Sequence, residues 1–299
     1  MRSLKWAVAL AACLLALGAA APRPRIVSLI PSLTEDLFAI GAGAQVVGVS
    51  QFTDYPPAAA RLPQVNSFSS IDAEKVLALH PDVVVGIRAQ SALSADLRRL
   101  GLRTELIDDD SYADIYTDLA VLGRLSGHER EAAALSARLR ARAAQLQRSV
   151  PPGVRPRVFV ALGVAPIFTV GDGSYIATLL RMAGARNAAA NLHQAYGRYS
   201  AEALVAAQPD AIVTDSGADL ASVEGKPPWN ALRAVREHRV YVLKDADLLE
   251  RPGPRFVDGL QWLIEQLHAQ ARAHFQFHGL SRLPSSTISL EPDALCQHR

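Results

Sequence analysis

The side chains with most to offer a partner in this sequence are aromatic rings placed on loops. Phe52-Thr-Asp-Tyr-Pro-Pro57 is a rigid aromatic loop, and Phe68 follows on another. Gly163-Val-Ala-Pro-Ile-Phe168 is an apolar loop ending in a ring, and Tyr196 and Tyr199 add two more. Flat rings on loops, where no packed core needs them, describe the wall of a binding cleft. The polar turn Asp247-Leu-Leu-Glu-Arg251-Pro-Gly-Pro-Arg255 sets a carboxylate and a guanidinium at helical spacing. Such a pair serves either to hydrogen-bond a ligand or to bind each other. Bond-breaking chemistry has no comparable foothold. There is no Gly-x-Ser-x-Gly elbow, no Walker loop and no Gly-x-Gly-x-x-Gly after a strand. Gly171-Asp-Gly173 reads as a turn, and Asp108-Asp-Asp110 as the end of a strand that caps the next helix. His80, His128 and His193 fall in a turn, a helix start and a loop, while His274 and His278 lie near the C-terminus. No three of them converge, so no metal site is expected. The sequence reads as a binder and not as an enzyme.

The elements that must hold these loops show an internal repeat. Asp72-Ala-Glu-Lys-Val-Leu-Ala-Leu-His-Pro-Asp-Val-Val-Val85 and Ser200-Ala-Glu-Ala-Leu-Val-Ala-Ala-Gln-Pro-Asp-Ala-Ile-Val213 share Ala-Glu, Ala, Pro-Asp and Val at matching places. Each reads as a short helix, a Pro-Asp turn and a buried strand. Arg25-Ile-Val-Ser-Leu29 and Arg157-Val-Phe-Val-Ala161 open the two regions alike. Ser32 or Thr34 is placed to cap a helix after the first of these strands, at the end of the sheet where ligands gather. Between the copies lies His128 to Arg148, with no Gly, Pro or β-branched residue. It predicts one long helix, opened after Gly127 and stopped by Pro151-Pro152. Ala132, Leu135, Leu139, Ala143 and Leu146 make a single apolar stripe along it. A further helix is predicted from Phe256 to His268. The expected architecture is therefore α/β, two lobes of similar plan joined by one long helix.

A basic start, an apolar run from Trp6 to Leu17 and small residues at Gly18 to Ala21 read as a secretory signal. Removing it with Arg2 and Lys5 leaves 29 basic against 29 acidic residues, a balance that argues against nucleic acid. Cys13 sits in a lipoprotein-like box, but inside the apolar run, so a lipid anchor there is the lesser reading. Without Cys13 only Cys296 remains, and no internal disulfide can form. The expected organisation is a signal peptide over 1–20, an N-terminal lobe over 24–127, a connecting helix over 128–149, a C-terminal lobe over 150–272 and a loosely ordered tail over 273–299.

Four stretches together, Ser28 to Glu35, Phe52 to Pro57, the paired Ala-Glu and Pro-Asp units, and Asp247 to Arg255, resemble the periplasmic cobalamin-binding proteins of ABC importers. The resemblance covers about Arg25 to Gln270. It implies two Rossmann-like lobes bridged by a helix, with a ligand in the cleft and no resident cofactor. By position it carries the ligand contacts to Phe52, Phe68, Ile87, Phe168, Tyr196, Asp247 and Arg251. Phe168, Asp247 and Arg251 match the family directly. Phe52 stands for a tyrosine, while Phe68, Ile87 and Tyr196 stand for tryptophans, so the flat walls survive except at Ile87. The same resemblance gives Glu74 and Glu202 the task of docking onto the two membrane subunits of the importer. It also implies a monomer in the periplasm. The wider class includes iron-siderophore and haem binders, and the siderophore is the main alternative ligand. Haem is disfavoured because Phe68 offers no oxygen where haem binders use a tyrosine, unless Tyr55 or Tyr196 takes that place.

Overall fold

Two parallel sheets, each built from short runs of Val, Ile and Ala, form the halves of the molecule. The computed structural model describes residues 23–279, apart from Phe68, Asp109, Asp110, Val154 and Ser216. The expected signal segment and residues 280–299 lie outside the described residues.

The first half runs β1 (Ile26–Ser28), α1 (Pro31–Ala39), β2 (Val46–Ser50), β3 (Gln64–Asn66), α2 (Ala73–Ala78), β4 (Val83–Ile87), α3 (Ala95–Arg99), β5 (Thr104–Ile107) and α4 (Asp114–Ser126). Its strands pair in the order β3-β2-β1-β4-β5, all parallel. Ile26, Val27 and Val83 to Val85 are buried, as strands covered on both faces require. α5 (Glu129–Arg148) then leads to the second half. That half contains β6 (Arg157–Ala161), β7 (Gly163–Val164), β8 (Ile167–Val170), α6 (Tyr175–Met182), β9 (Arg186–Asn187), β10 (Tyr196–Arg198), α7 (Ala201–Ala207), β11 (Ala211–Thr214), α8 (Gly217–Val223), α9 (Arg233–Arg236), β12 (Val240–Val242), α10 (Asp247–Glu250) and α11 (Phe256–Gly279). Here the parallel order is β12-β11-β6-β9, and β10-β8-β7 make a separate antiparallel sheet.

The repeat is a structural unit with a physical purpose. Asp72 caps α2 by accepting the Lys75 N–H at 3.0 Å, and Ser200 caps α7 by accepting the Ala203 N–H at 3.1 Å. Each helix ends in a left-handed residue, His80 at φ 45° and Gln208 at φ 38°, just before the proline. The aspartate that follows then grips the opening of its lobe's first parallel strand. Asp82 accepts the Arg25 backbone N–H at 2.7 Å, and Asp210 accepts that of Arg157 at 2.8 Å. The same aspartates return their own N–H groups to the Arg25 and Arg157 carbonyls. These clamps set β4 beside β1 and β11 beside β6 in equivalent register.

All five stripe residues of α5 are buried, while Arg138, Arg140 and Arg148 are exposed. The stripe packs against α4 and α11. It lies inside one continuous cluster of buried apolar side chains that reaches from Ile26 and Leu33 in the first half to Val160 and Ile264 in the second. Each of its three buried leucines contributes about 1.5–3 kcal/mol on folding.

Three local expectations are corrected. Neither Ser32 nor Thr34 caps α1, because Pro31 opens the helix and Ile30 is its N-cap; the Thr34 hydroxyl instead bonds Ser28 Oγ and the Ile30 carbonyl. The stretch before Phe168 is a β-hairpin and not a loop. α11 continues to Gly279, past His268 and into the first part of the expected tail, since no Gly or Pro lies between His268 and Gly279.

Candidate functional site

The carboxyl ends of β1, β2, β3 and β4 open into one cavity of about 510 Å³. Leu29 to Pro31, Ser50, Phe52, Asn66 and Ile87 supply its N-terminal wall, and Asp247, Glu250 and Arg251 reach in from the second half. A parallel sheet gathers ligands at this end, because side chains leave the strands there and the following loops are free to vary. The volume is within the usual range for small-molecule sites. Of the residues implied by resemblance, Phe52, Ile87, Asp247 and Arg251 are brought together here. Phe68 lies outside the described residues.

The floor of the cleft is a charged junction between the halves. Glu35 on α1 has only 1% of its side chain exposed. It accepts from Arg251 Nη1 at 3.0 Å and from Arg255 Nε and Nη2 at 2.7 and 2.8 Å. Arg251 also donates to Asp54 at 2.8 Å and to the Phe52 carbonyl at 3.0 Å, and its Nε pairs with Asp247 at 2.9 Å. Arg255 bonds Asp245 and lies over the Tyr55 ring at 4.2 Å. The Phe52 to Tyr55 loop is thus held at its carbonyl, its carboxylate and its ring by two arginines of the other half. Arg251 does not present a free guanidinium to the cavity; it fixes the wall that carries Phe52.

The electrostatics follow the same geometry. At Asp54, partial burial pushes upward, but the hydrogen bond and charge of Arg251 outweigh it and hold the carboxyl below its ordinary value. At Asp247, burial prevails over Arg251, helped by Asp54 and Asp245, and the carboxyl is raised. Glu250 is open to the gap, yet the surrounding protein, then the charges of Asp215 and Asp247, push it up to about 7.

Phe168 and Tyr196 do not line this cavity. They stand on β8 and β10, on one face of the antiparallel sheet, and both are exposed. Glu74 and Glu202 occupy the same position in the first turns of α2 and α7, both exposed. Among the described residues no group of three or more His, Cys, Asp or Glu could hold a metal ion. Glu35, Arg255 and Glu250 were not singled out from the sequence. Glu35 carried one usable signal: a carboxylate in a short helix whose neighbours Leu33, Leu37 and Ile40 are all core formers.

A family model described as a periplasmic binding protein matches residues 26–246. The chain is 32% identical over 253 residues to YvrC of Bacillus subtilis (strain 168), an uncharacterised ABC transporter substrate-binding lipoprotein, covering 82% of this chain and 80% of that one. Among solved structures, the periplasmic vitamin B12 binding protein BtuF of Vibrio cholerae aligns with a TM-score of 0.73 and 29% identity, over 83% of this chain and 98% of its own. The periplasmic heme-binding protein RhuT from Roseiflexus sp. RS-1 aligns with a TM-score of 0.72 and 28% identity, over 83% and 98%.

Proposed function

The chain belongs to the periplasmic binding protein family, and on that basis we propose that it binds cobalamin or a related corrinoid between its lobes and delivers it to an ABC importer. Its relatives are substrate-binding transport proteins and not enzymes, and what they hold is cargo rather than a resident cofactor. The observation that carries the corrinoid reading is the distribution of rings. Phe52 lines the cavity from the first half, and Phe168 and Tyr196 are exposed on the second. A broad, flat macrocycle with apolar faces fills such walls at small entropic cost to the protein. The vitamin B12 binder of Vibrio cholerae, alike over nearly its whole length, supports the same reading.

Asp247 contributes its carboxylate as an acceptor for the ligand's side-chain amides, while Arg251 acts by holding Asp247 and the Phe52 loop. Glu74 and Glu202, one per lobe, meet the two membrane subunits. The protein works in the periplasm as a monomer; among the described residues no helix is long and apolar enough to cross a membrane. The test is the visible spectrum of the protein isolated from cells supplied with cobalamin. Corrinoid bands in stoichiometric amount are expected, and a haem Soret band in their place contradicts the reading. Haem or another iron chelate is the second reading, favoured by the nearly equal likeness to the Roseiflexus heme binder.

A further inference from the structure

The first half's share of the cavity wall carries no charged side chain. Its polar side chains are Ser50, Asn66, Ser67 and Gln90, and every charge in the lining stands on Asp247, Glu250 and Arg251 of the other half. Three of the neutral residues are placed by the sheet itself. Ser50 ends β2 and Asn66 ends β3, and the two are register partners, so their side chains leave one face on strands about 4.8 Å apart. Gln90 folds back from the turn after β4. A Cβ at Gly86 would stand 2.7 Å from Gln90 Oε1, so the glycine in that Val-rich strand makes room for the carboxamide. All three are withdrawn from solvent, Ser50 at 2% and Asn66 and Gln90 each at 8% exposed.

Their hydrogen-bonding capacity is only partly used within the protein. Asn66 donates from Nδ2 to two backbone carbonyls, Leu29 at 3.1 Å and Ser67 at 3.3 Å. Gln90 Nε2 donates to the same Leu29 carbonyl at 3.3 Å, and its Oε1 accepts the Ile87 N–H at 3.3 Å. These partners decide which end of each carboxamide is nitrogen. Asn66 Oδ1 then has no donor among the described residues. Gln90 keeps a second N–H, and Ser50, whose Oγ accepts the Phe52 N–H at 3.3 Å, keeps its O–H. A buried polar atom left unpaired is costly, and in a cavity wall a guest that supplies the partner removes that cost.

We infer that Ser50, Asn66 and Gln90 form a binding position for a carboxamide group of the ligand, with Asn66 Oδ1 accepting its N–H and the Ser50 hydroxyl or the Gln90 amide donating to its carbonyl. A primary amide carries a donor and an acceptor on one carbon, and this cluster offers the complement of both. A carboxylate brings no donor to Asn66, and the first half's wall holds no cation to balance its charge, so an acid is rejected here. The identity of the amide rests on the corrinoid reading. A corrin ring is edged with primary amides, whereas haem is edged with propionates, and the cluster therefore discriminates between the two readings of the cargo.

The test is calorimetry of the wild-type protein and the Asn66→Ala variant against two corrinoids, dicyanocobinamide, edged with amides, and dicyanocobyrinic acid heptamethyl ester, whose esters have no N–H. Wild type is expected to bind cobinamide about tenfold tighter than the ester, and Asn66→Ala to weaken cobinamide by about tenfold while leaving the ester unchanged. Equal binding of the two by wild type, or an equal loss or no loss on substitution, overturns the assignment. Should Asn66→Ala fail to fold, Ser50→Ala, which leaves both Asn66 N–H contacts in place, decides by the same pattern with a loss of about threefold. If wild type binds neither corrinoid, the corrinoid reading fails, and haem against its dipropionamide derivative decides the cluster. A preference for the diamide that the same variant abolishes supports it; preference for haem, no preference or no binding overturns it.

Discussion

Glu35 is the residue on which the junction depends. Two guanidiniums share its carboxylate, and nearly all of its side chain is withdrawn from water. Removing one partner of a buried ion pair leaves the other without compensation. Glu35→Gln is therefore expected to cost about 3 kcal/mol in denaturant unfolding, and a change below the scatter of the measurement would show that Asp54, Asp245 and Asp247 suffice without it. Glu250 makes a second prediction. Its carboxyl is raised from 4.5 to about 7 in the folded protein, so between those values the folded state holds a proton that the unfolded chain has released. Its contribution to stability is fully present below pH 4.5 and is lost as pH rises through about 7. Glu250→Gln should flatten that part of the stability profile relative to wild type. At this scale the sequence was partly legible. Helical spacing made an Asp247–Arg251 pair foreseeable, and the pair forms at 2.9 Å. The Glu35 contact lies 216 residues from Arg251 in the chain, and no local pattern could reveal it.

The long helix and the repeat were the most readable elements, because both express strong local rules. The 3.6-residue period of α5 named the five residues that are buried, and Gly127, at φ 73°, closes the preceding helix where only a glycine is comfortable. The repeated Pro-Asp marked a turn, but the reason for the aspartate, a clamp on a strand more than fifty residues earlier, emerges only in three dimensions. The small antiparallel sheet was missed since β7 has two residues and β10 three, too few for alternation to show. The matched helices carry a prediction of their own. With Glu74 and Glu202 exposed on equivalent first turns, reversing both charges should impair uptake into whole cells while ligand affinity stays unchanged. Lost affinity in that double variant would move these residues into the pocket or the fold.

At the scale of the molecule, two separate parallel sheets share one apolar core through α5 and α11. Lobes joined by a flexible strand can swing widely, but here any large opening would have to shear buried leucines and break the Glu35 junction, so ligand capture is expected to need only a small adjustment. On that expectation the cleft is largely formed before a ligand arrives, and its chemistry decides what enters. The direct measurement is calorimetry of the mature protein against cyanocobalamin, haem and a ferric hydroxamate under identical conditions. Saturable one-to-one binding that is tightest for cyanocobalamin is the predicted result; tighter binding of haem or the hydroxamate, with no heat from cyanocobalamin, would contradict it.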